Sequence, residues 1–220
     1  MPIPELEAGW RRFRSGRYRE QRRLFDQMAR EGQRPHTLMV ACCDSRVDPA
    51  ILFDCDPGEL FVVRNVANLV PPCEVDDGGP HTSFHGTSAA IEFGISVLAV
   101  DHIVVLGHSQ CGGIRALIEG IPAAFGPMPF LSSWIALADE ARERAFAADP
   151  EPARLATICE QLAIGLSLRN LRTFPAVRDR IAAGRLSLHG LHYDLRDGAL
   201  SLLDVDLGRF VAVDGGDADA

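Results

Sequence analysis

The chain has 220 residues, of which 47% are hydrophobic and 24% are charged, which is typical of one ordinary globular domain. A formal net charge of −8 argues against nucleic acid as the main partner. The sequence has no apolar run of ~18 residues and no secretory signal pattern, so we expect neither a membrane span nor a membrane partner.

Residues 5–31 predict one or two helices, with Gly9 and Gly16 as breaks. The segment is amphipathic and rich in arginine, with Arg11, Arg12, Arg14, Arg17, Arg19, Arg22 and Arg23. We interpret these arginines as a solvated helix face. The alternative is contact with an acidic neighbouring subunit.

The first strand is predicted at 37–42 and runs into the polar turn Cys42–Arg46. A helix should follow, with Asp48 as N-cap and Pro49 in its first turn. The second strand is predicted at 60–64.

Residues 65–85 read as a long loop, and long loops are often functional or mobile. A largely apolar helix over 87–98 should be buried. The third strand, 101–106, then completes a right-handed parallel crossover. The segment after it, from Gly112, predicts a further helix.

In the second half, the pattern predicts helices at 130–147, 151–172 and 176–183, a strand at 186–194, a hairpin turn at Asp197-Gly198, a return strand at 200–205 and a frayed acidic tail at 213–220. The order of all these elements indicates an α/β fold. Its central sheet should be mostly parallel, with an antiparallel edge strand and flanking helices.

Metal-ligating side chains follow two of the predicted strands. His108 and Cys111 form a His-x-x-Cys turn after the third strand, and Cys42 follows the first. Open α/β sheets bind ligands at the carboxyl ends of their strands, and mixed thiolate and imidazole donors suit zinc. Asp44 would be the fourth ligand or would hydrogen-bond a water in that position. Arg46 would decide between these roles by holding the Asp44 carboxylate.

The chain contains six cysteines, Cys42, Cys43, Cys55, Cys73, Cys111 and Cys159. Their arrangement points to metal chemistry in a reducing compartment rather than to a disulfide framework, so we expect a cytoplasmic protein. A non-catalytic zinc-stabilised or redox-sensing protein, pairing Cys42 with Cys43 or Cys111, is an alternative.

A serine hydrolase is a second alternative, because residues 107–110 nearly spell the nucleophile elbow G-x-S-x-G around Ser109. Its fifth position is Cys111 rather than glycine, and that tight turn tolerates a side chain at this position poorly. The histidine of such a triad would be His189 or His192, but both lie in a strand pattern.

These motifs resemble those of the β-class carbonic anhydrases. Residues 41–49 are similar to the C-x-D-S-R segment of that family, and residues 107–113 to its G-H-x-x-C-G-G segment. Residues 57–68 resemble the stretch that links the two. The similarity continues through 170–175 and His189-Gly190, and so covers roughly residues 10–205.

The resemblance implies a zinc enzyme that interconverts carbon dioxide and bicarbonate by attack of zinc-bound hydroxide. The motif match implies that Cys42, His108 and Cys111 are the zinc ligands. It implies that Asp44 is a fourth ligand in a closed state and pairs with Arg46 in an open, active state, where the two orient the hydroxide.

The resemblance also implies that the site lies at a dimer interface, in a homodimer or a higher even homo-oligomer. The helices within residues 1–31 would pack on the neighbouring subunit. The implied carbon dioxide pocket consists of Gln33, Phe61, Val66, Phe93 and Gly112.

One branch of the family has an allosteric bicarbonate site that includes a tryptophan, an arginine and a tyrosine. This chain has Met39, Arg64 and Phe93 at those positions. We therefore expect that regulatory site to be absent and the chain to resemble the plant-type branch, although that branch also usually has tyrosine at Phe93.

The sequence does not identify a proton shuttle among the candidates His36, His81 and His85. It also leaves open activity on carbonyl sulfide or carbon disulfide.

Overall fold

The computed structural model describes residues 3–73, 75–76, 79–80, 86–148 and 151–213, which form eight strands and ten α-helices. The strands are β1 Thr37–Cys42, β2 Leu60–Asn65, β3 Val75–Asp76, β4 Gly79–Pro80, β5 His102–His108, β6 Ser187–Tyr193, β7 Leu200–Asp204 and β8 Arg209–Ala212. The helices are α1 Pro4–Ser15, α2 Arg17–Glu20, α3 Arg22–Glu31, α4 Pro49–Leu52, α5 Gly86–Ser96, α6 Gly112–Glu119, α7 Pro129–Ile135, α8 Asp139–Ala148, α9 Pro152–Leu171 and α10 Pro175–Ala182. The end of the predicted frayed tail, 214–220, lies outside the described residues.

The main sheet has six strands in the order β2-β1-β5-β6-β7-β8, and β3 pairs with β4 in a separate ribbon. Strands β2, β1, β5 and β6 pair in parallel, whereas β7 and β8 run antiparallel at one edge. The predicted mostly parallel sheet with an antiparallel edge is confirmed. Strand β8 was not predicted, because its four residues are too few to show a periodic pattern.

The two central strands are buried on both faces. In β1, Leu38 and Val40 belong to one core cluster, while Met39 and Ala41 belong to another on the opposite face. Each of these side chains is at most 3% exposed. Two-sided burial explains the continuous apolar run of a central parallel strand. Polar side chains in this strand are therefore confined to its first and last residues, Thr37 and Cys42.

Two glycines allow helix α9 to lie directly on the sheet. A Cβ atom on Gly107 of β5 would be 2.7 Å from Cδ1 of Ile164, and one on Gly190 of β6 would be 2.8 Å from Cγ2 of the same side chain. Any larger residue at either position would push α9 away from the end of β5.

The helix predictions need three corrections. The N-terminal segment forms three helices rather than one or two, with breaks at Gly16 and Gln21, whereas Gly9 lies inside α1. Helix α5 buries only one face, since Phe93 and the following Val97 are 42% and 64% exposed. The predicted helix over 130–147 is divided into α7 and α8 by a 3-10 turn, which places the fully buried Ala138 in the core.

The N-terminal arm, defined here as residues 3–31, has no buried residue in any of its helices. Large apolar side chains on the arm are 39–61% exposed, namely Ile3, Leu6, Trp10 and Phe13. A single chain therefore leaves the apolar face of the arm uncovered. Within the described parts of the chain, none of the helices combines the length and apolar character needed to cross a bilayer.

Candidate metal centre

Neighbouring strands β1 and β5 end side by side, and each ends in a metal-ligating residue. Cys42 is the last residue of β1 and His108 the last of β5, and the two strands pair in parallel. Cys111 follows as the N-cap of α6. The two sulfurs and an imidazole nitrogen lie within 4.8 Å of one another, and all three residues are buried. The structure thus brings together the three residues predicted as ligands.

The imidazole of His108 presents one nitrogen to this group. Its Nδ1 lies 2.8 Å from the carbonyl oxygen of Ser109, so Nδ1–H donates and Nε2 carries the lone pair. The Nε2 atom is buried and has no hydrogen-bond partner among the described residues. Burial of a nitrogen without a hydrogen-bond partner destabilises the fold unless a ligand binds to its lone pair. This observation fits a bound metal ion.

The two thiols of the group interact directly. The sulfurs of Cys42 and Cys111 are 4.0 Å apart, and neither residue forms a disulfide. Their contact lowers the pKa of Cys42 and raises the pKa of Cys111. Backbone amides of Asp44 and Ala67 support the Cys42 thiolate, and Ala67 adopts a left-handed φ of 63°. The group offers two sulfurs and one nitrogen, a donor set that suits zinc.

The Asp44 carboxylate points at Arg46 from beside this group. The guanidinium donates from Nε to Oδ1 at 2.9 Å and from Nη2 to Oδ2 at 2.7 Å, and the Arg46 amide adds a 3.0 Å bond to Oδ1. The side-chain hydrogen bond from Arg46 holds the pKa of Asp44 well below its usual range. Oδ2 lies 4.0 Å from Nε2 of His108. The carboxylate therefore lies beside the candidate ligands while it is hydrogen-bonded to Arg46.

A second arginine, Arg64 at the end of β2, fixes the turn that carries Cys42 and Asp44. Its guanidinium donates to the carbonyl oxygens of Cys42, Asp44 and Val47 at 2.9, 2.6 and 2.8 Å, and to the Asp48 carboxylate at 3.2 Å. Asp48 also caps α4, as predicted, by accepting from the amides of the first turn. The sequence analysis missed this role of Arg64. The sequence did contain one indication of it: Arg64 lies near the end of β2, and a parallel neighbour of β1 must end beside the turn that carries Cys42.

Two of the predicted pocket residues lie near the group. Gly112 begins α6 directly after Cys111 and has open space where a side chain would lie. Val66 is 36% exposed, and its Cγ1 is 2.7 Å from where a Cβ on Gly113 would lie. Both residues therefore border the turn that carries Cys111.

The other three predicted pocket residues lie away from the group. Phe61 pairs in register with Leu38, four residues before Cys42, which places it roughly 13 Å along the strand. Its ring packs against Phe93, with centroids 5.7 Å apart. Gln33 is exposed in the segment between α3 and β1. Their part in the pocket stays a prediction that requires a second chain.

The serine hydrolase alternative is wrong. The hydroxyl of Ser109 donates to Asp194 and accepts from the Leu195 amide, each at 2.9 Å. His189 bonds instead to Ser187, and His192 to a buried glutamate. Since neither histidine contacts Ser109, neither can act as the general base of the predicted triad.

One proton-shuttle candidate can be located. His36 precedes β1 at the amino edge of the sheet, where its Nδ1 lies 2.9 Å from Asp101. Cys42 is at the opposite end of β1, roughly 20 Å away at the usual rise per residue. His81 and His85 lie outside the described residues.

Comparisons with known proteins agree with this geometry. The family model described as carbonic anhydrase matches residues 37–200. A curated relative, β carbonic anhydrase 3 of Arabidopsis thaliana, is 35% identical over 208 residues, covering 93% of this chain and 78% of that protein. The carbonic anhydrase of Pseudomonas aeruginosa is 38% identical over 211 residues, covering 95% and 91%.

Solved structures of similar fold include the β-carbonic anhydrase CcaA, with a TM-score of 0.85 and 32% identity over 96% of this chain and 91% of that chain. A second is the Coccomyxa β-carbonic anhydrase in complex with acetazolamide, with a TM-score of 0.76 and 28% identity over 96% and 92%. A third, from a study of two tetrameric β-carbonic anhydrases of Sordaria macrospora, has a TM-score of 0.73 and 27% identity over 97% and 98%.

Proposed function

The chain belongs to the β-carbonic anhydrases, and from that premise we propose that it catalyses the reversible hydration of carbon dioxide to bicarbonate and a proton with one zinc ion. Cys42, His108 and Cys111 would hold the ion. The observation that carries this proposal is the buried Nε2 atom of His108, which has no hydrogen-bond partner in the described part of the chain and lies close to two cysteine sulfurs. When bound, zinc would lower the pKa of a water to ~7 and so supply a nucleophile at neutral pH.

The role we propose for Asp44 follows from its ionisation. Because Arg46 keeps the pKa of this carboxyl well below its usual range, Asp44 is a carboxylate at neutral pH and can only accept hydrogen bonds. It would accept one from the attacking water and so direct a lone pair at the carbon of the substrate. Arg46 would hold the carboxylate away from the fourth ligand position, which corresponds to the open state and supports the plant-type assignment.

We further propose that a second copy of the chain completes the substrate pocket. Val66 and Gly112 lie at the site of their own chain, whereas Phe61, Phe93 and Gln33 do not. Phe93 is 42% exposed although its ring is packed on Phe61, so it presents an apolar surface to a neighbour. These three residues would contribute to the site of the partner subunit.

The N-terminal arm is the surface we propose for dimer formation. Its apolar side chains are exposed, and it is rich in arginine within a chain whose net charge is −8. Apolar burial and charge complementarity would both favour docking on a second copy. A relative of similar structure is described as tetrameric, which supports an even oligomer here.

Replacing Trp10 and Phe13 together by aspartate should convert the oligomer to monomers. Light scattering coupled to gel filtration measures the mass, and hydration activity should fall with it because each pocket loses its partner residues. Val205→Asp, at a residue that is 72% exposed in the β7–β8 turn, is the control and should keep the wild-type mass. A double variant with unchanged mass would exclude the arm as the interface.

Zinc analysis and a carbon dioxide hydration assay on the same sample test the proposed function. We expect about one zinc per chain, with activity lost on chelation and restored by added zinc. Alkylation distinguishes a zinc site from a redox-sensing protein, because bound zinc should protect Cys42 and Cys111 from the alkylating reagent until the chelator is added. Carbonyl sulfide and carbon disulfide serve as competing substrates. A metal-free preparation with full activity would contradict the proposal.

We also propose a cytoplasmic location. It rests on the six cysteines, which are all free in the structure although two sulfurs lie 4.0 Å apart. A reducing compartment keeps such thiols available as ligands. Fractionation of cells that produce the protein measures this directly.

A further inference from the structure

A buried carboxylate lies behind the turn that carries Cys111. Glu160 of α9 is 3% exposed, and its Oε1 accepts a hydrogen bond from the Cys111 amide at 3.1 Å. Its Oε2 lies 3.2 Å from Nε2 of His192, which is itself 4% exposed. A buried charge is costly unless it is paired and hydrogen-bonded, and both oxygens of this carboxylate have partners. The proposed mechanism does not use this pair.

The fold places Glu160 and His192 next to the segment that carries the candidate ligands His108 and Cys111. Glu160 precedes Ile164 by four residues, so it is one helical turn from the point where α9 lies on Gly107. His192 pairs in register with Gly107, the residue before His108. The carboxylate therefore joins α9, strand β6 and the Cys111 peptide at a single point behind the candidate ligands.

We propose that Glu160, held by His192, is a positioning residue that fixes the Cys111 peptide so that its sulfur points at the metal. This inference rests on the proposed zinc site. The hydrogen bond from the Cys111 amide to Glu160 restrains the peptide plane from which the Cys111 side chain projects. Groups that orient metal ligands typically contribute about 10- to 100-fold to metal affinity or activity.

The test measures how fast zinc leaves the full-length protein when a chromogenic chelator is in excess. In Glu160→Leu both hydrogen bonds are lost, and we expect release about 10- to 100-fold faster than from wild type. In Glu160→Gln an amide oxygen can still accept from Cys111, so release should stay within about 3-fold of wild type. Glu143→Leu, at an exposed glutamate of α8, is the control and should behave as wild type.

Thermal unfolding of the zinc-free forms separates positioning from a general structural role. If Glu160→Leu lowers the melting temperature but releases zinc at the wild-type rate, the inference is overturned. If that variant does not fold, His192→Phe takes its place, because it leaves Oε2 without its donor and should also speed release. Unchanged release from a folded His192→Phe would overturn the part assigned to His192. A wild-type protein that holds zinc but hydrates no carbon dioxide would refute the proposed function, while the release rates would still decide the role of Glu160.

Discussion

Replacing His108 by alanine should remove bound zinc and hydration activity together. The imidazole is fully buried, and its Nε2 is the only nitrogen in the Cys42–His108–Cys111 group. Without it two sulfurs remain, and a stable zinc site needs at least three protein ligands. Because the metal would supply the nucleophile in the proposed reaction, activity should fall by roughly 10³-fold or more. Cys42→Ser should have the same effect, since a neutral hydroxyl is a poor replacement for a thiolate.

The chain offers a matched control for each of these substitutions. Cys43 adjoins Cys42 but is exposed, so Cys43→Ser should keep both zinc and activity. His36 is exposed at the opposite edge of the sheet, so His36→Ala should keep zinc. Zinc content by atomic absorption and circular dichroism of each variant distinguish lost metal from lost fold. If either ligand variant kept full zinc and full activity, the ligand assignment would be wrong.

The positions of these candidate ligands could be predicted from sequence because the relevant information is local. An apolar strand followed at once by a polar, metal-ligating turn occurs twice, at Cys42 and at His108. Parallel strands place such turns at one edge of the sheet. The same local logic located the N-cap at Asp48, which needs only its own first turn.

Contacts between distant parts of the chain could not be predicted in this way. Arg64 and Glu160 are separated from the turns they support by 22 and 49 residues respectively. A lone arginine or glutamate in a sequence is usually a surface charge, and only the packing of β2 and α9 shows otherwise. The break at Ala138 likewise depends on the core that it enters.

The pocket residues could not be predicted from one chain alone if, as we propose, the pocket is completed by a second chain. Phe61 and Phe93 face each other, but they lie a strand's length from the site of their own chain. Phe93 is exposed and Phe61 is partly buried, which fits a site that a second copy would complete. The resemblance named these residues, and their distance from the candidate ligands of their own chain is the reason we propose that a neighbouring chain brings them to the site.

Replacing Arg46 by alanine should leave zinc bound and remove most of the turnover. Among the described residues, only the Arg46 side chain donates to both oxygens of the Asp44 carboxylate. Oδ2 of this carboxylate lies 4.0 Å from Nε2 of His108. Once released, the carboxylate is free to turn toward the metal and occupy the position that water needs. We expect kcat to fall by about 10²-fold, equivalent to ~2.7 kcal/mol. Stopped-flow hydration and zinc analysis measure the two quantities.

Three further variants decide whether the Asp44–Arg46 pair acts as proposed. Arg46→Lys should recover little turnover, because an ammonium cannot hold both carboxylate oxygens as the guanidinium does. Asp44→Asn should lose turnover for a different reason, since its amide is a weaker acceptor and can point its NH₂ group at the water. Arg169→Ala is the matched control, because Arg169 also holds both oxygens of a carboxylate, that of Glu140, but on the exposed surface of α8 and α9. An Arg46→Ala protein with bound zinc and normal kcat would show that the carboxylate needs no restraint, and the open state would then have to be explained by the metal alone.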